Sequence, residues 1–153
     1  MGALIAIDPG IAGTGHAVFI NGNLRSYGNT YAKVGLPWYD KADIITRQLE
    51  DLLSEYPCHG TIVVCEFPTY MAGKSVASKS DSLVKMAYLA GQLARAAHPM
   101  EFDLVVPTKW KGTMSKALVE RRIRKIIPKL PKGAKDHALD AIGIGLWKLK
   151  GKL

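Results

Sequence analysis

Two short strand-like runs in this chain each end on an acid. Ala3-Leu4-Ile5-Ala6-Ile7 closes on Asp8, and Thr61-Ile62-Val63-Val64-Cys65 closes on Glu66. Short apolar, β-branched runs bounded by turn formers read as buried strands. Carboxylates are depleted from strands, and one at the tip of a buried strand is costly to ionise unless a cation or partner compensates it. Near the other end, His137 and Asp140 lie three apart on a helical pattern and so share a face. Hard divalent cations want oxygen ligands from several directions, so acids carried by separate elements make Asp8, Glu66, His137 and Asp140 a candidate two-metal site.

The order of elements narrows the fold. Asn21-Gly22-Asn23 is a hairpin signal between 15–20 and 24–29, which with 3–8 predicts three consecutive antiparallel strands. A helical pattern over 38–56 ends at Pro57 and Gly60, the strand 61–66 follows, and a loop with Pro68 and Gly73 leads to a helix over 80–97. A strand at 102–106 stops at Pro107, and helices are predicted over 115–127 and 135–149. This is an α/β order: a mixed five-stranded sheet, three antiparallel strands then parallel ones, with helices on both faces. The 153 residues, 48% apolar, read as one globular domain, 1–153. Two cysteines make no disulfide framework, and no stretch suits a signal sequence or membrane span, so a cytoplasmic location with no membrane partner is expected.

The charge is segregated. The chain carries +8, yet residues 109–135 hold ten basic side chains against the single acid Glu120, a net +9. Everything else sums to −1. Such a stretch points to a polyanion, most often nucleic acid, although a solvated helix face gives the same count.

Each acid has an ordinary reading as well. Asp8 enters Pro9-Gly10 and Gly13-Thr14-Gly15, a glycine-rich turn with room for a phosphate or a metal-bound ligand, or a turn that Asp8 merely caps; it lacks the Gly-Lys-Ser/Thr ending of a Walker loop. Glu66 is otherwise an exposed strand end, and His137 with Asp140 a charged first helical turn. Asp136 falls on another face and suits a capping role. The small residues Ala141, Gly143 and Gly145 let the last helix approach the sheet.

First-strand acid, fourth-strand acid and last-helix acid is the ribonuclease H-like arrangement. From Ile7-Asp8-Pro9-Gly10 through Glu66 to His137-Ala138-Leu139-Asp140-Ala141, spaced by roughly 60 and then 70 residues, the chain resembles the RuvC-type Holliday junction resolvases. The resemblance implies that Asp8, Glu66, His137 and Asp140 are catalytic and bind two Mg²⁺ or Mn²⁺ ions, with His137 the histidine version of a position that varies in the family. Tyr70-Met71-Ala72 is similar to the loop whose aromatic residue wedges into the junction, one place later than usual. Pro107-Thr108-Lys109-Trp110-Lys111 and Lys116 resemble the phosphate-contacting positions, and Lys74 and Arg121 join them as DNA-binding residues.

The expected activity is metal-dependent hydrolysis of paired phosphodiesters in a four-way DNA junction, leaving 5′-phosphate and 3′-hydroxyl ends. Two cuts on one junction imply a C2 homodimer. The helix over 80–97, with Ala87, Ala90, Gly91 and Ala94 beside Leu83 and Tyr88, either supplies that interface or packs on the sheet. No small-molecule cofactor is implied. The modest length suggests a phage-encoded member. Another ribonuclease H-like nuclease, on RNA–DNA hybrids or flaps, and a non-catalytic junction binder are the alternatives; a sugar-kinase or actin-like ATPase would need two such domains.

Overall fold

The computed structural model describes residues 2–67, 76–131 and 133–153, with side chains excepted at 76–80. Three strands open it: β1 (Ala3–Asp8), β2 (Thr14–Ile20) and β3 (Asn23–Thr30). Asn21 and Gly22, with φ of 53° and 76°, close the β2–β3 hairpin as a two-residue turn, the backbone form for which Asn-Gly is selected. The chain continues through α1 (Trp38–Ser54), β4 (Ile62–Glu66), α2 (Val76–Ala97) and β5 (Glu101–Val105). It finishes with the one-turn α3 (Pro107–Trp110), α4 (Lys116–Ile126) and α5 (Asp136–Lys150). The sheet order is β3-β2-β1-β4-β5, with β1–β2 and β2–β3 antiparallel and β1–β4 and β4–β5 parallel. This is the mixed five-stranded arrangement expected from the sequence.

Strand periodicity divides the core into two layers. Ala3, Ile5 and Ile7 of β1 and Val63 and Cys65 of β4 face one side, where Ile45 and Leu49 of α1 and Leu89 and Leu93 of α2 cover them. Leu4, Ala6 and Val64 face the other, against Leu139, Ala141 and Ile142 of α5, Val119 and Ile123 of α4, and Trp110 of α3. The five largest of these side chains on β1 and β4 are less than a tenth exposed, so each layer is closed. Among the described residues, no helix is long and apolar enough to cross a membrane.

Two details differ from the sequence reading. The helix expected from residue 80 begins at Val76, and its Val84, Ala87, Tyr88 and Gly91 are exposed while Leu89, Ala90 and Leu93 pack inward. Residues 107–110, read as a strand stop and phosphate-contacting positions with no helix of their own, form α3 with Pro107 at its first turn, where proline's missing N–H costs nothing.

Candidate active site

The same periodicity that sorts the core places the acids. Asp8 follows Leu4 and Ala6 on the α5 side of β1, and Glu66 follows Val64 on the α5 side of β4. Ile7 pairs with Cys65 across the parallel β1–β4 ladder, so the two carboxylates leave neighbouring strands at the same level, beyond the carboxyl ends. Ligands of open α/β sheets collect at that end.

The first turn of α5 brings the other two residues. Asp8 is paired across the β1–β2 ladder with Gly15, where a Cβ would stand 2.0 Å from the carbonyl oxygen of His137. Bare backbone at Gly15 therefore lets the helix start lie directly on β2. Of the glycines that read as space for a phosphate, Gly15 instead seats a helix. Thr14 anchors the turn, accepting from the Gly10 N–H at 3.1 Å and donating to the Gly10 carbonyl at 3.0 Å.

Asp8, only 6% exposed, accepts a hydrogen bond from His137 Nδ1 at 2.6 Å. A carboxylate can only accept, so Nδ1 carries the proton and Nε2 is left with its lone pair when the ring is neutral. That bond to Asp8 raises the His137 pKa, against the opposing effect of burial. Burial also raises Glu66 above the ordinary carboxylate range, with the Asp8 charge adding to it and Lys111 and Trp110 opposing. Asp140 is raised by burial as well, and Lys111 again opposes. Neighbouring Cys65 is fully buried and points to the α1–α2 side; burial and the two acids push its thiol far up, which leaves it a neutral packing residue.

Lys111 is the internal counter-cation. Its Nζ lies 3.6 Å from Glu66 Oε2 and 3.4 Å from Asp140 Oδ2. A pocket of about 520 Å³ opens over these groups, lined by Asp8, Glu66, Lys111, Lys116, His137 and Asp140 among others. As the side chains stand, no group of three or more His, Cys, Asp or Glu among the described residues is arranged to hold a metal ion. The donor set itself fits a hard divalent cation: three carboxylates and an imidazole from three elements, with two of the acids raised by burial and mutual charge and an ammonium drawn in between them.

The structure thus gathers Asp8, Glu66, His137 and Asp140 around one pocket, with Lys111 inside it and Lys116 at its rim. Asp136 is not the cap of α5, since Lys135 holds that position without a side-chain bond; its carboxylate pairs with Lys116 instead. Lys109 and Arg121 are exposed and do not line the pocket. Tyr70 and Lys74 lie outside the described residues. Part of the basic segment is structural: Arg124 binds Glu120 and the carbonyls of Leu130 and Pro131, and Arg122 donates to the carbonyl of Leu153. The residue that the sequence reading missed is Trp110, whose indole N–H donates to Glu66 Oε2 at 2.6 Å.

This sheet order, with acids at the ends of β1 and β4 and on the last helix, defines a ribonuclease H-like fold. Two solved structures share it over almost the whole chain. "T. thermophilus RuvC in complex with Holliday junction substrate" superimposes with a TM-score of 0.75 at 18% identity, covering 95% of this chain and 91% of that one. "Thermus thermophilus RuvC structure" gives a TM-score of 0.74 at 19% identity, covering 97% and 96%. The fold is that of the RuvC Holliday junction resolvases. No family model matches the sequence, and no curated protein sequence matches it.

Proposed function

We propose that this protein is an endonuclease that resolves four-way DNA junctions by metal-dependent phosphodiester hydrolysis. The observation that carries the reading is the convergence of Asp8, Glu66, His137 and Asp140 on one pocket with Lys111 inside it and Lys116 at its rim. The RuvC-like fold supports it, and one structural neighbour is RuvC on a Holliday junction substrate. The basic stretch from 109 to 135 supplies the field a polyanion requires.

Asp8, Glu66, Asp140 and His137, the last through Nε2, would hold two Mg²⁺ or Mn²⁺ ions. When bound, such ions lower the pKa of a water and stabilise the leaving 3′ oxygen. The remaining work belongs to the chain. Asp8 orients the His137 ring, Glu66 faces the attacking side, and Lys111 and Lys116 neutralise the phosphate that enters the pocket. An imidazole in the donor set favours Mn²⁺ over Mg²⁺. Symmetric cutting calls for a homodimer, and the exposed Val84 and Tyr88 of α2, with Tyr88 edge-on to Trp38 at 5.3 Å, offer the apolar face for it. The products are 5′-phosphate and 3′-hydroxyl nicks, and the protein acts in the cytoplasm.

The test compares synthetic four-way junctions with flap and RNA–DNA hybrid substrates, using native protein and Asp8→Asn. Preferential junction cutting by the native chain, with Asp8→Asn binding junctions but leaving them intact, is the expected result. Equal or better cutting of hybrids or flaps identifies another ribonuclease H-like nuclease, and cutting by Asp8→Asn refutes the site.

A further inference from the structure

Trp110 is 2% exposed and occupies a seat built from three elements. It ends the one-turn α3, and its indole edge lies where Gly143 of α5 has no side chain: a Cβ there would stand 2.6 Å from the ring. Lys111 Nζ lies 4.7 Å from the ring centroid. From this seat the N–H reaches Glu66 Oε2 at 2.6 Å, the same oxygen that Lys111 approaches at 3.6 Å. Among the described residues, no hydrogen bond is made to Oε1.

We propose that Trp110 is a positioning residue that fixes Glu66 through Oε2, so that Oε1 is the oxygen the carboxylate offers to the cation. The inference rests on the metal-dependent reading of the pocket. Two donors crowd Oε2, and they differ in kind. Lys111 is long, flexible and partly exposed, and it can leave the acids for a phosphate. An indole N–H donates only, does not titrate and cannot ligate a metal, so its hold on Glu66 persists through every stage. A glutamate has three rotatable bonds to order, and a permanent donor anchored in the core holds it ordered before the cation arrives. This also accounts for α3: one turn after β5, opened by Pro107, is what delivers the indole to the end of β4.

The experiment uses the full chain and Trp110→Phe, which keeps an aromatic ring in the seat while removing the N–H donor and part of the ring system. Mn²⁺ binding without DNA is measured by calorimetry, alongside thermal unfolding. The expected result is a Kd weakened by on the order of 10–100-fold, the usual effect of losing a partner behind a metal ligand, with the unfolding midpoint lowered by the smaller ring but the transition still cooperative. Junction cutting then needs more Mn²⁺ for half-maximal rate but recovers near-native kcat at saturation. In the metal-free protein, the indole N–H resonance that Trp110→Phe deletes shifts on Glu66→Gln. Trp147→Phe, which removes an indole from α5 that does not line the pocket, leaves Mn²⁺ affinity unchanged. A folded Trp110→Phe that binds Mn²⁺ as tightly as native, an indole resonance indifferent to Glu66→Gln, or an equal loss in Trp147→Phe overturns the positioning role alone. A native chain that binds no Mn²⁺ overturns the reading of the pocket beneath it.

Discussion

Lys111 holds the metal-free pocket together, and replacing it with methionine separates two effects. At about 3.5 Å and an effective dielectric near 20, each of its contacts with Glu66 and Asp140 is worth roughly 4–5 kcal/mol of attraction. Withdrawing an ammonium from water opposes this by several kcal/mol, and breaking a largely buried pair typically costs about 3–5 kcal/mol. With Lys111 and Asp140 each 24% exposed, the low end applies, so Lys111→Met should destabilise the metal-free protein by about 3 kcal/mol. For a domain of this size that is a fall in Tm of roughly 6–12 °C. Mn²⁺ should then stabilise the variant more than the native chain, because no ammonium competes for the acids and stabilisation grows with the ratio of free ion to Kd. Differential scanning calorimetry over a Mn²⁺ series reads both effects. An unchanged metal-free Tm refutes the counter-cation role, and a Mn²⁺ increment no larger than native refutes the competition.

Three further outcomes follow from the same geometry. Gly15→Ala puts a methyl on the backbone of His137 rather than on a yielding side chain, so it should cost more than the about 1–3 kcal/mol of ordinary overpacking and abolish cutting; chemical denaturation and a junction assay check it. His16 lies across from Gly28, and its Nδ1 is buried without a partner among the described residues; burial lowers its pKa, so the unfolded chain takes up the proton first. Its contribution is therefore present above about pH 6.5 and is lost as pH falls; native Tm should drop more steeply below that point than the Tm of His16→Gln, and parallel curves would contradict it. Lys109→Ala and Arg121→Ala, both exposed and away from the pocket, should weaken junction binding and flatten its salt dependence, by about 0.9 in log–log slope for each phosphate left unneutralised, with the cutting rate of bound junction unchanged.

The acids and the sheet were legible for one reason. Asp8 and Glu66 close period-2 runs, and that period fixes the face on which a strand-end side chain falls, whatever packs there. His137 and Asp140 were legible from helical spacing. Trp110 was not, because a one-turn helix is too short for periodicity; a Pro followed by an aromatic between two lysines was the available signal, and it read as phosphate-binding sequence. Lys111 was read by its charge alone, since nothing in a sequence says whether a long side chain turns outward to phosphate or inward to acids. Gly15 was not legible for a similar reason: a missing Cβ announces close approach but not of what, and at Gly15 it is the start of α5.

Because Asp8 and Glu66 each follow directly on the Ile7–Cys65 rung of a parallel ladder, assembly of the pocket is tied to correct strand alignment. A β4 that docked one residue out of step would turn Glu66 into the oily layer of Ile45 and Leu89 and carry Cys65 to the pocket. Such a conformer would be unstable and would lack the assembled pocket. If the pocket cuts DNA as proposed, the protein arms itself only on completing its fold, and half-made or misassembled copies carry no assembled site.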